Sequence, residues 1–124
     1  MNDNTPLLRQ VIPEWVHCGK ISSQAFRPFR KGEMLSTYDG SIITAEEAYF
    51  NFTGNPDRRS AGVASVLVSQ FKAEGLEIIE DRIPYESHIS VSYDIFGTNA
   101  REKISRKLAN IANARGWAYI PVKS

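Results

Sequence analysis

Apolar positions along the chain form two kinds of pattern, short runs typical of strands and one long stripe typical of a helix. The run from Leu7 to Val16 is interrupted by Pro13, which cannot donate to a strand ladder, so we expect two short extended pieces or an edge strand there. The segment from Gly62 to Phe71 is rich in valine and has no breaker after its first residue. This composition predicts a largely buried, central strand.

Two further strands are predicted, over residues 76–80 and 88–93, with a turn region that contains Pro84 between them. Three strands in succession favour an antiparallel meander. Polar and apolar side chains alternate along the last strand: His88, Ser90 and Ser92 against Ile89, Val91 and Tyr93. This period of two predicts that the polar set faces solvent and that the apolar set faces the core.

Two helices are predicted from their start signals. Thr44 and Glu47 form a capping box, in which each side chain bonds the other residue's backbone N–H, so we expect a helix from Thr44 to Phe52. The second helix runs from Asn99, its predicted N-cap, to the stop signal Gly116. Its apolar stripe consists of Ile104, Leu108 and Ile111.

The segment over residues 17–40 has an irregular pattern, punctuated by glycine and proline, with short extended pieces expected around Ile21 and Leu35. It carries more large apolar side chains than a solvated linker would. These are Phe26, Phe29, Met34, Leu35 and Tyr38. We expect them to pack on the core and to hold the segment rigid.

Together these elements predict one α+β domain over residues 1–124, with residues 1–6 flexible. We expect a mainly antiparallel sheet of four to six strands, packed against the Asn99 to Arg115 helix and flanked by the Thr44 to Phe52 helix. A short strand from Trp117 to Val122, which contains a proline, is expected at an edge of the sheet.

Composition narrows the class of protein. Fifteen basic and fourteen acidic side chains leave a formal charge of +1, so no global field attracts a polyanion or a membrane surface. Cys18 is the single cysteine, which excludes an internal disulfide and favours a reducing compartment. The polar N-terminus is unlike a signal peptide, and no apolar stretch approaches the ~20 residues that span a bilayer. We therefore expect a cytoplasmic protein that does not bind membranes.

The two histidines offer little established chemistry. His88 and Ser90 match the histidine-x-serine pattern of two-histidine phosphoesterases, but that class needs the pattern twice. The other histidine, His17, is followed by Cys18 and Gly19, so the second hydroxyl is missing. The histidines, Cys18 and the carboxylates also lack the spacing along the sequence that metal ligands show, and we expect no metal site. The alternative role for His88 is a strand histidine that hydrogen-bonds a neighbour.

The last helix has a basic face, which makes nucleic acid a possible partner through contacts with phosphate groups. The candidates for such contacts are Arg101, Arg106 and Lys107. No aromatic side chains interleave with them to stack bases, and a solvated helix face is the alternative interpretation.

The most informative stretch is Ser22 to Pro28 together with Leu35 to Gly40, because hydroxyls and an arginine alternate there with large apolar residues. Such a segment can present a rigid polar site. The candidate binding residues are Ser22, Ser23, Phe26, Arg27 and Tyr38. The alternative is that the hydroxyls only satisfy local backbone groups in turns.

Five motifs carry a resemblance to known proteins: SSQAFRP at residues 22–28, LSTYDG at 35–40, TAEEAY at 44–49, His88, and RGWAY at 115–119. With these motifs, which span most of its length, the chain resembles a group of small uncharacterised bacterial proteins. This resemblance implies a bacterial origin and no particular activity.

A second resemblance concerns a histidine after the first strand and a Ser-Thr-Tyr segment that leads into a helix. This order is similar to the opening of the ADP-ribosyltransferase-like fold, in which the first polar residue and the serine grip NAD. The similarity implies that His17, Ser36 and Tyr38 take those positions, with Glu80 or Glu86 as the late acidic residue.

Three functional hypotheses follow. The leading one is a non-catalytic binding or accessory protein, needing no cofactor, from a bacterial conflict locus of toxin–antitoxin or phage-defence type, which recognises a protein partner through Ser22 to Tyr38. The alternative is a small nucleotide- or NAD-dependent enzyme with His17, Ser36, Tyr38 and His88 as candidate catalytic residues. The third is a nucleic-acid-binding module that uses the basic C-terminal helix.

Overall fold

A five-stranded antiparallel sheet organises the chain in the computed structural model, which describes residues 1–28, 30 and 32–121. The strands in chain order are β1 Pro6–Val11, β2 Val16–His17, β3 Lys20–Ile21, β4 Leu35–Asp39, β5 Gly62–Leu67, β6 Glu77–Ile79 and β7 His88–Ser92. The α-helices are α1 Ala45–Thr53, α2 Val68–Ala73 and α3 Thr98–Arg115. The main sheet has the order β5-β1-β4-β7-β6, and β2 and β3 form a separate hairpin. The predicted α+β class, the strand number and the two predicted helices are confirmed.

The core consists of two clusters, one on each face of the sheet. On one face, buried side chains such as Leu7, Val66 and Ile89 pack with Ile104 and Leu108 of α3. The predicted apolar stripe of this helix is therefore confirmed. The smaller cluster lies on the opposite face, near α1, and contains Leu8, Tyr38, Ala48 and Val63. Among the described helices, none combines the length and apolarity needed to cross a membrane.

The prediction of one central strand over residues 62–71 is wrong in two respects. The strand β5 ends at Leu67, where the Gln70 side chain accepts a hydrogen bond from the Leu67 N–H at 2.8 Å and α2 begins. The strand β5 also lies at the edge of the sheet and not at its centre. It is nevertheless buried, because the backbone of Tyr119 pairs with Val63 and covers this edge. The helix α2 then carries the chain to β6 at the opposite edge, so the predicted meander is not formed.

The polar side of β7 is not solvated, contrary to the prediction. His88, Ser90 and Ser92 are 8%, 3% and 8% exposed. Alternation did separate two faces, since Ile89 and Val91 belong to the core beside α3. The segment before β7 contacts the other face, where Asp81 lies within hydrogen-bond distance of His88 and Ser90.

The capping box of α1 is confirmed: Thr44 Oγ1 accepts from the Glu47 N–H, and Glu47 Oε1 accepts from the Thr44 N–H, both at 3.1 Å. The predicted N-cap Asn99 of α3 is wrong, because Asn99 lies inside the helix, which starts after Gly97 without a side-chain cap. Instead, Arg101 donates hydrogen bonds to backbone carbonyls of the preceding segment.

The C-terminal stop of α3 is confirmed at Gly116, whose φ of 82° is the left-handed conformation that glycine adopts readily. The strand predicted from Trp117 onward is reduced to a single bridge between Tyr119 and Val63. Its predicted last residue, Val122, lies outside the described residues.

The first apolar run does form two extended pieces, β1 and β2, separated by a 3-10 turn at Pro13–Trp15. However, β1 lies inside the sheet and not at its edge. The residues before it, expected to be flexible, contact α2: the Asp3 carbonyl accepts from the Ser69 N–H, and its carboxylate pairs with Lys72.

The irregular segment is held on the core by Phe26, Leu35 and Tyr38, which are buried as predicted. The prediction is wrong for Met34, which is 37% exposed. Phe26 lies in a second 3-10 turn, Ser23–Phe26, and is fully buried. The Tyr93 hydroxyl donates to the Phe26 carbonyl, and Arg9 Nε donates to the Ala25 carbonyl at 2.7 Å. Asn113 of α3 exchanges two hydrogen bonds with the backbone of Ile21. The predicted anchor Phe29 lies outside the described residues.

Candidate functional site

A cavity of about 720 Å³ lies where the chain leaves β7 and enters α3. Its described lining residues are Arg27, Pro28, Arg30, Gly32, Asp94, Phe96, Gly97, Thr98 and Arg101. The volume falls within the usual range of small-ligand sites, about 300 to 1,000 Å³. Two residues that the sequence suggested for different roles, Arg27 and Arg101, meet in this cavity.

The charge of the cavity lining is mainly positive, with three arginines and one aspartate, Asp94. Arg101 is fixed in place, since its Nε donates to the Phe96 carbonyl at 2.8 Å and its Nη2 donates to the Tyr93 carbonyl at 3.2 Å. The side chains of Arg27 and Arg30 make no hydrogen bond or ion pair with any other described residue. Their guanidinium groups are therefore available to a ligand.

The backbone of Arg27 is positioned by the turn that precedes it. The Arg27 N–H donates to the Gln24 carbonyl and closes the 3-10 turn. Phe26, the next residue back, is buried and accepts the Tyr93 hydroxyl through its carbonyl. Phe26 is thus not exposed to a ligand, but it holds Arg27 at the cavity.

The hydroxyls of Ser22 and Ser23 do not line this cavity. Ser22 Oγ is buried and has no hydrogen-bond partner among the described residues, whereas Ser23 is half-buried in the 3-10 turn. Neither side chain hydrogen-bonds a local backbone group among the described residues, so the alternative of turn bonding is not supported. Their role in binding stays a prediction.

A second polar cluster brings together three of the four predicted catalytic candidates on the sheet face opposite α3. Ser36 and Tyr38 of β4 lie beside His88 of β7, because Tyr38 pairs directly with His88 in the register. His88 Nε2 is 3.3 Å from Ser36 Oγ, and His88 Nδ1 is 2.8 Å from Asp81 Oδ1. The other carboxylate oxygen of Asp81 accepts from Ser90 Oγ at 2.5 Å.

The fourth candidate, His17, is elsewhere. It is exposed beside the turn of the β2–β3 hairpin, in which Cys18 and Gly19 have φ values of 53° and 77°. The hairpin contacts α3 through β3, so it lies on the side of the sheet that α3 covers. His17 and Ser36 are therefore on opposite sides of the sheet, and an NAD site that uses both is not assembled.

Aromatic rings surround the second cluster. Tyr85 stacks on Tyr38 at 5.4 Å between ring centroids and meets the His88 ring edge-on at 5.5 Å. Burial and a hydrogen bond with Tyr38 raise the pKa of Tyr85 above its usual range. The Tyr85 hydroxyl therefore stays protonated at neutral pH and serves as a hydrogen-bonding group.

Two ionised carboxylates, Asp81 and Asp39, stabilise this cluster and the segment beside it through hydrogen bonds. Burial would raise the pKa of Asp81, but hydrogen bonds from Ser90 and His88 outweigh it and hold the pKa below its usual range. The same balance lowers the pKa of Asp39, where Ser41 and Arg82 supply the hydrogen bonds.

The two late acidic candidates both contact Arg82, and no described contact joins either of them to Ser36. Glu80 pairs with Arg82 at 2.8 Å, and Glu86 is exposed and offers only its carbonyl to Arg82. Arg82 Nη2 also contacts Asp39 Oδ2 at 3.0 Å. Arg82 thus attaches the segment before β7 to β4. The described contacts of Glu80 and Glu86 hold Arg82 in place for this attachment.

The three basic candidates of α3 do not share one surface. Arg101 is partly buried at the cavity, whereas Arg106 and Lys107 are neighbours on the exposed face of the helix. Lys107 pairs with Glu74 at 3.4 Å. The described structure therefore places Arg101 apart from Arg106 and Lys107, and contact of these residues with nucleic acid stays a prediction.

Sequence analysis missed Asp81, Tyr85, Asp94 and Phe96. Each lies in a turn or loop, where no periodic pattern indicates which way a side chain points. Among the residues that the structure describes, no group of three or more His, Cys, Asp or Glu side chains is arranged to hold a metal ion. Comparison of the chain with models of known protein families, with curated proteins and with solved structures found no match.

Proposed function

We propose that the chain is a binding protein, and that its cavity accepts an acidic segment of a protein partner. The observation that carries this proposal is the pair Arg27 and Arg30, whose side chains line the cavity without a hydrogen-bonding or ionic partner among the described residues. A guanidinium has five donors in a planar fork and binds carboxylates in a bidentate manner.

The remaining lining supports a peptide as the ligand. Pro28 and Phe96 supply apolar contact area beside the arginines. A mixed surface of this kind suits a segment that combines a Glu or Asp side chain with an apolar neighbour. The lining described here offers no histidine or cysteine for acid–base or nucleophilic chemistry, which favours binding over catalysis at this cavity.

The proposal includes the cellular setting. Cys18 is exposed and unpaired, and an accessible thiol is typical of a reducing compartment. The partner is therefore sought in the cytoplasm, and the gene neighbourhood of a bacterial conflict locus is the place to look for its coding sequence.

The test uses defined peptides. Glutamate-rich peptides that carry a single leucine or phenylalanine are titrated against the protein by fluorescence anisotropy, with glutamine-rich peptides of the same length as the reference. We expect the acidic peptides alone to bind, and Arg27→Gln to weaken binding about 10-fold or more, since a charge-assisted hydrogen bond is worth about 1.5 to 3 kcal/mol.

The matched control is Arg106→Gln, which removes the same charge from an exposed position of α3 outside the cavity lining. It should leave the dissociation constant within about two-fold, because exposed long-range charges are screened by salt. Equal weakening by the two substitutions would mean non-specific attraction and would reject the cavity as the site. Absence of binding by every acidic peptide would also reject it.

A thermal-shift series separates the other hypotheses. A ligand present at 100 times its dissociation constant stabilises the folded state by about 2.7 kcal/mol, which is readily measured. Stabilisation by NAD or a nucleotide that survives Arg27→Gln would favour the enzyme hypothesis. Stabilisation by short RNA that is lost in Arg106→Gln would favour the nucleic-acid module.

A further inference from the structure

The sheet face opposite α3 carries a linked row of polar side chains that the binding proposal does not use. Asp81, His88 and Ser36 are joined by contacts of 2.8 Å and 3.3 Å. His88 is 8% exposed and Asp81 is half-buried, whereas the serine at the end of the row is exposed. A partly buried network therefore terminates on a hydroxyl that solvent and substrates can reach.

The hydrogen bonds determine which nitrogen of His88 carries the proton. An ionised carboxylate only accepts hydrogen bonds, so Asp81 Oδ1 requires a proton on Nδ1. In the neutral ring this leaves the lone pair on Nε2, directed toward Ser36 Oγ. Nε2 is thus placed to accept the Ser36 proton, which is the role of a general base beside a serine nucleophile.

The supporting contacts keep the row in position. Ser90 Oγ donates to the second carboxylate oxygen of Asp81 at 2.5 Å, and Arg9 Nη1 donates to the Ser36 carbonyl at 3.0 Å. The edge-on contact between the Tyr85 and His88 rings restricts rotation of the imidazole. Side chains outside the row thus hold Asp81, Ser36 and His88 in position.

We propose that Ser36, His88 and Asp81 form a serine-nucleophile site that cleaves activated carboxylic esters. Ser36 Oγ attacks the ester carbonyl carbon while its proton passes to His88 Nε2. The bond from carbon to the leaving alcohol oxygen breaks, and that oxygen takes the proton from His88. Water then attacks the acyl-serine, gives one proton to His88, and releases the carboxylic acid as Ser36 recovers its proton.

The position of Ser36 also limits the substrate class. It lies within β4, and no helix starts directly after it, unlike a serine on a strand-to-helix elbow. Donors for the oxyanion are therefore not supplied by a helix N-terminus. This favours esters with good leaving groups, such as aryl esters, and the half-buried ring of Tyr85 beside His88 offers a surface for a flat aryl group.

The test is covalent labelling of the full chain with an alkyl fluorophosphonate. In this reaction the Ser36 Oγ–P bond forms, the P–F bond breaks, fluoride leaves and His88 Nε2 takes the serine proton. We expect one adduct, mapped to Ser36 by peptide mass spectrometry. His88→Gln and Asp81→Asn should slow its formation by about 100-fold or more, the usual scale of general-base catalysis.

The control variant is Ser69→Ala in α2, which should label at the wild-type rate, whereas Ser36→Ala should not label. An adduct on a tyrosine or on another serine would overturn the proposal. So would an adduct on Ser36 that forms equally fast in His88→Gln, because the hydroxyl would then react without its base.

A second measurement remains informative if a variant folds poorly. Long-range proton–nitrogen NMR spectra of the wild-type chain report the tautomer of His88 at mildly alkaline pH. The site requires a proton on Nδ1 and a free Nε2. The opposite tautomer would overturn the proposal, whatever the outcome of labelling, and neither result bears on peptide binding at the arginine cavity.

Discussion

At the scale of single residues, two carboxylates attach the segment before β7 to the sheet. Asp39 is 1% exposed and bonds Ser41 and Arg82, whereas Asp81 bonds His88 and Ser90. Such groups must stay ionised to accept all these hydrogen bonds. Their hydrogen-bond partners lower the pKa of both carboxyl groups against the opposing effect of burial.

The lowered pKa values make stability depend on pH. A carboxyl whose folded pKa lies below its unfolded value, about 3.9 for Asp, contributes stability that is complete above the unfolded value and is lost as pH falls through the folded one. We therefore expect the free energy of unfolding to decrease below about pH 5, as measured by urea titrations at a series of pH values.

The Asp39→Asn variant should be less stable by about 1 to 3 kcal/mol at neutral pH, because Arg82 loses a charged partner. Its stability should also fall less steeply with acid. Asp57→Asn, at an exposed loop position, is the matched control and should keep the wild-type profile. Identical acid profiles for the two variants would show that Asp39 is not a source of the pH dependence.

At the scale of elements, the start of one helix is specified by a local signal and the start of another by a tertiary contact. The start of α1 is specified by the Thr44 and Glu47 side chains, which are three residues apart and bond each other's backbone. The start of α3 has no side-chain cap, and Arg101 instead reaches back to the carbonyls of Tyr93 and Phe96. A capping motif can be recognised in sequence, whereas this arginine contact cannot.

Removal of the α1 cap is expected to destabilise the fold modestly. Thr44→Ala leaves the Glu47 N–H without its acceptor and should cost about 1 kcal/mol in the free energy of unfolding. Thr98→Ala is the matched control, since Thr98 is the first residue of α3 and caps nothing. Chemical denaturation of both variants checks this, and equal losses would contradict the capping role.

At the scale of the whole molecule, the segment after α3 closes one side of the sheet. The Tyr119 carbonyl accepts from the Val63 N–H at 2.9 Å, and the Tyr119 ring lies 5.1 Å from that of Tyr49. The approach is close at Gly62, where an added Cβ would be 2.6 Å from the Tyr119 carbonyl oxygen. This contact lets a valine-rich, buried strand stand at the edge of the sheet.

A chain that ends at Gly116 should lose this cover. We expect a loss of roughly 2 to 4 kcal/mol in stability from the Trp117 and Tyr119 contacts. We also expect concentration-dependent self-association, because the freed edge of β5 can pair with another strand. Sedimentation and denaturation measurements check both effects. Ile120→Ser, which alters an exposed side chain of the same segment, should remain as stable and as monodisperse as the wild type.

The sequence by itself determined the elements whose signals are local. The capping box, the stripe of Ile104 and Leu108, and the apolar anchor Phe26 depend on neighbours within a few turns, and each was found where it was predicted. The α+β class followed from them, because amphipathic strands and one long helix have few ways to bury their apolar faces together.

Only the tertiary structure decided the strand order, the edge position of β5 and the composition of both candidate sites. Arg27 meets Arg101, and Ser36 meets His88 and Asp81, because distant segments pack side by side. Periodicity tells which side chains share a face of one element, but it carries no information on which element lies next to it. Sites built from several elements are therefore visible only after the sheet has been assembled.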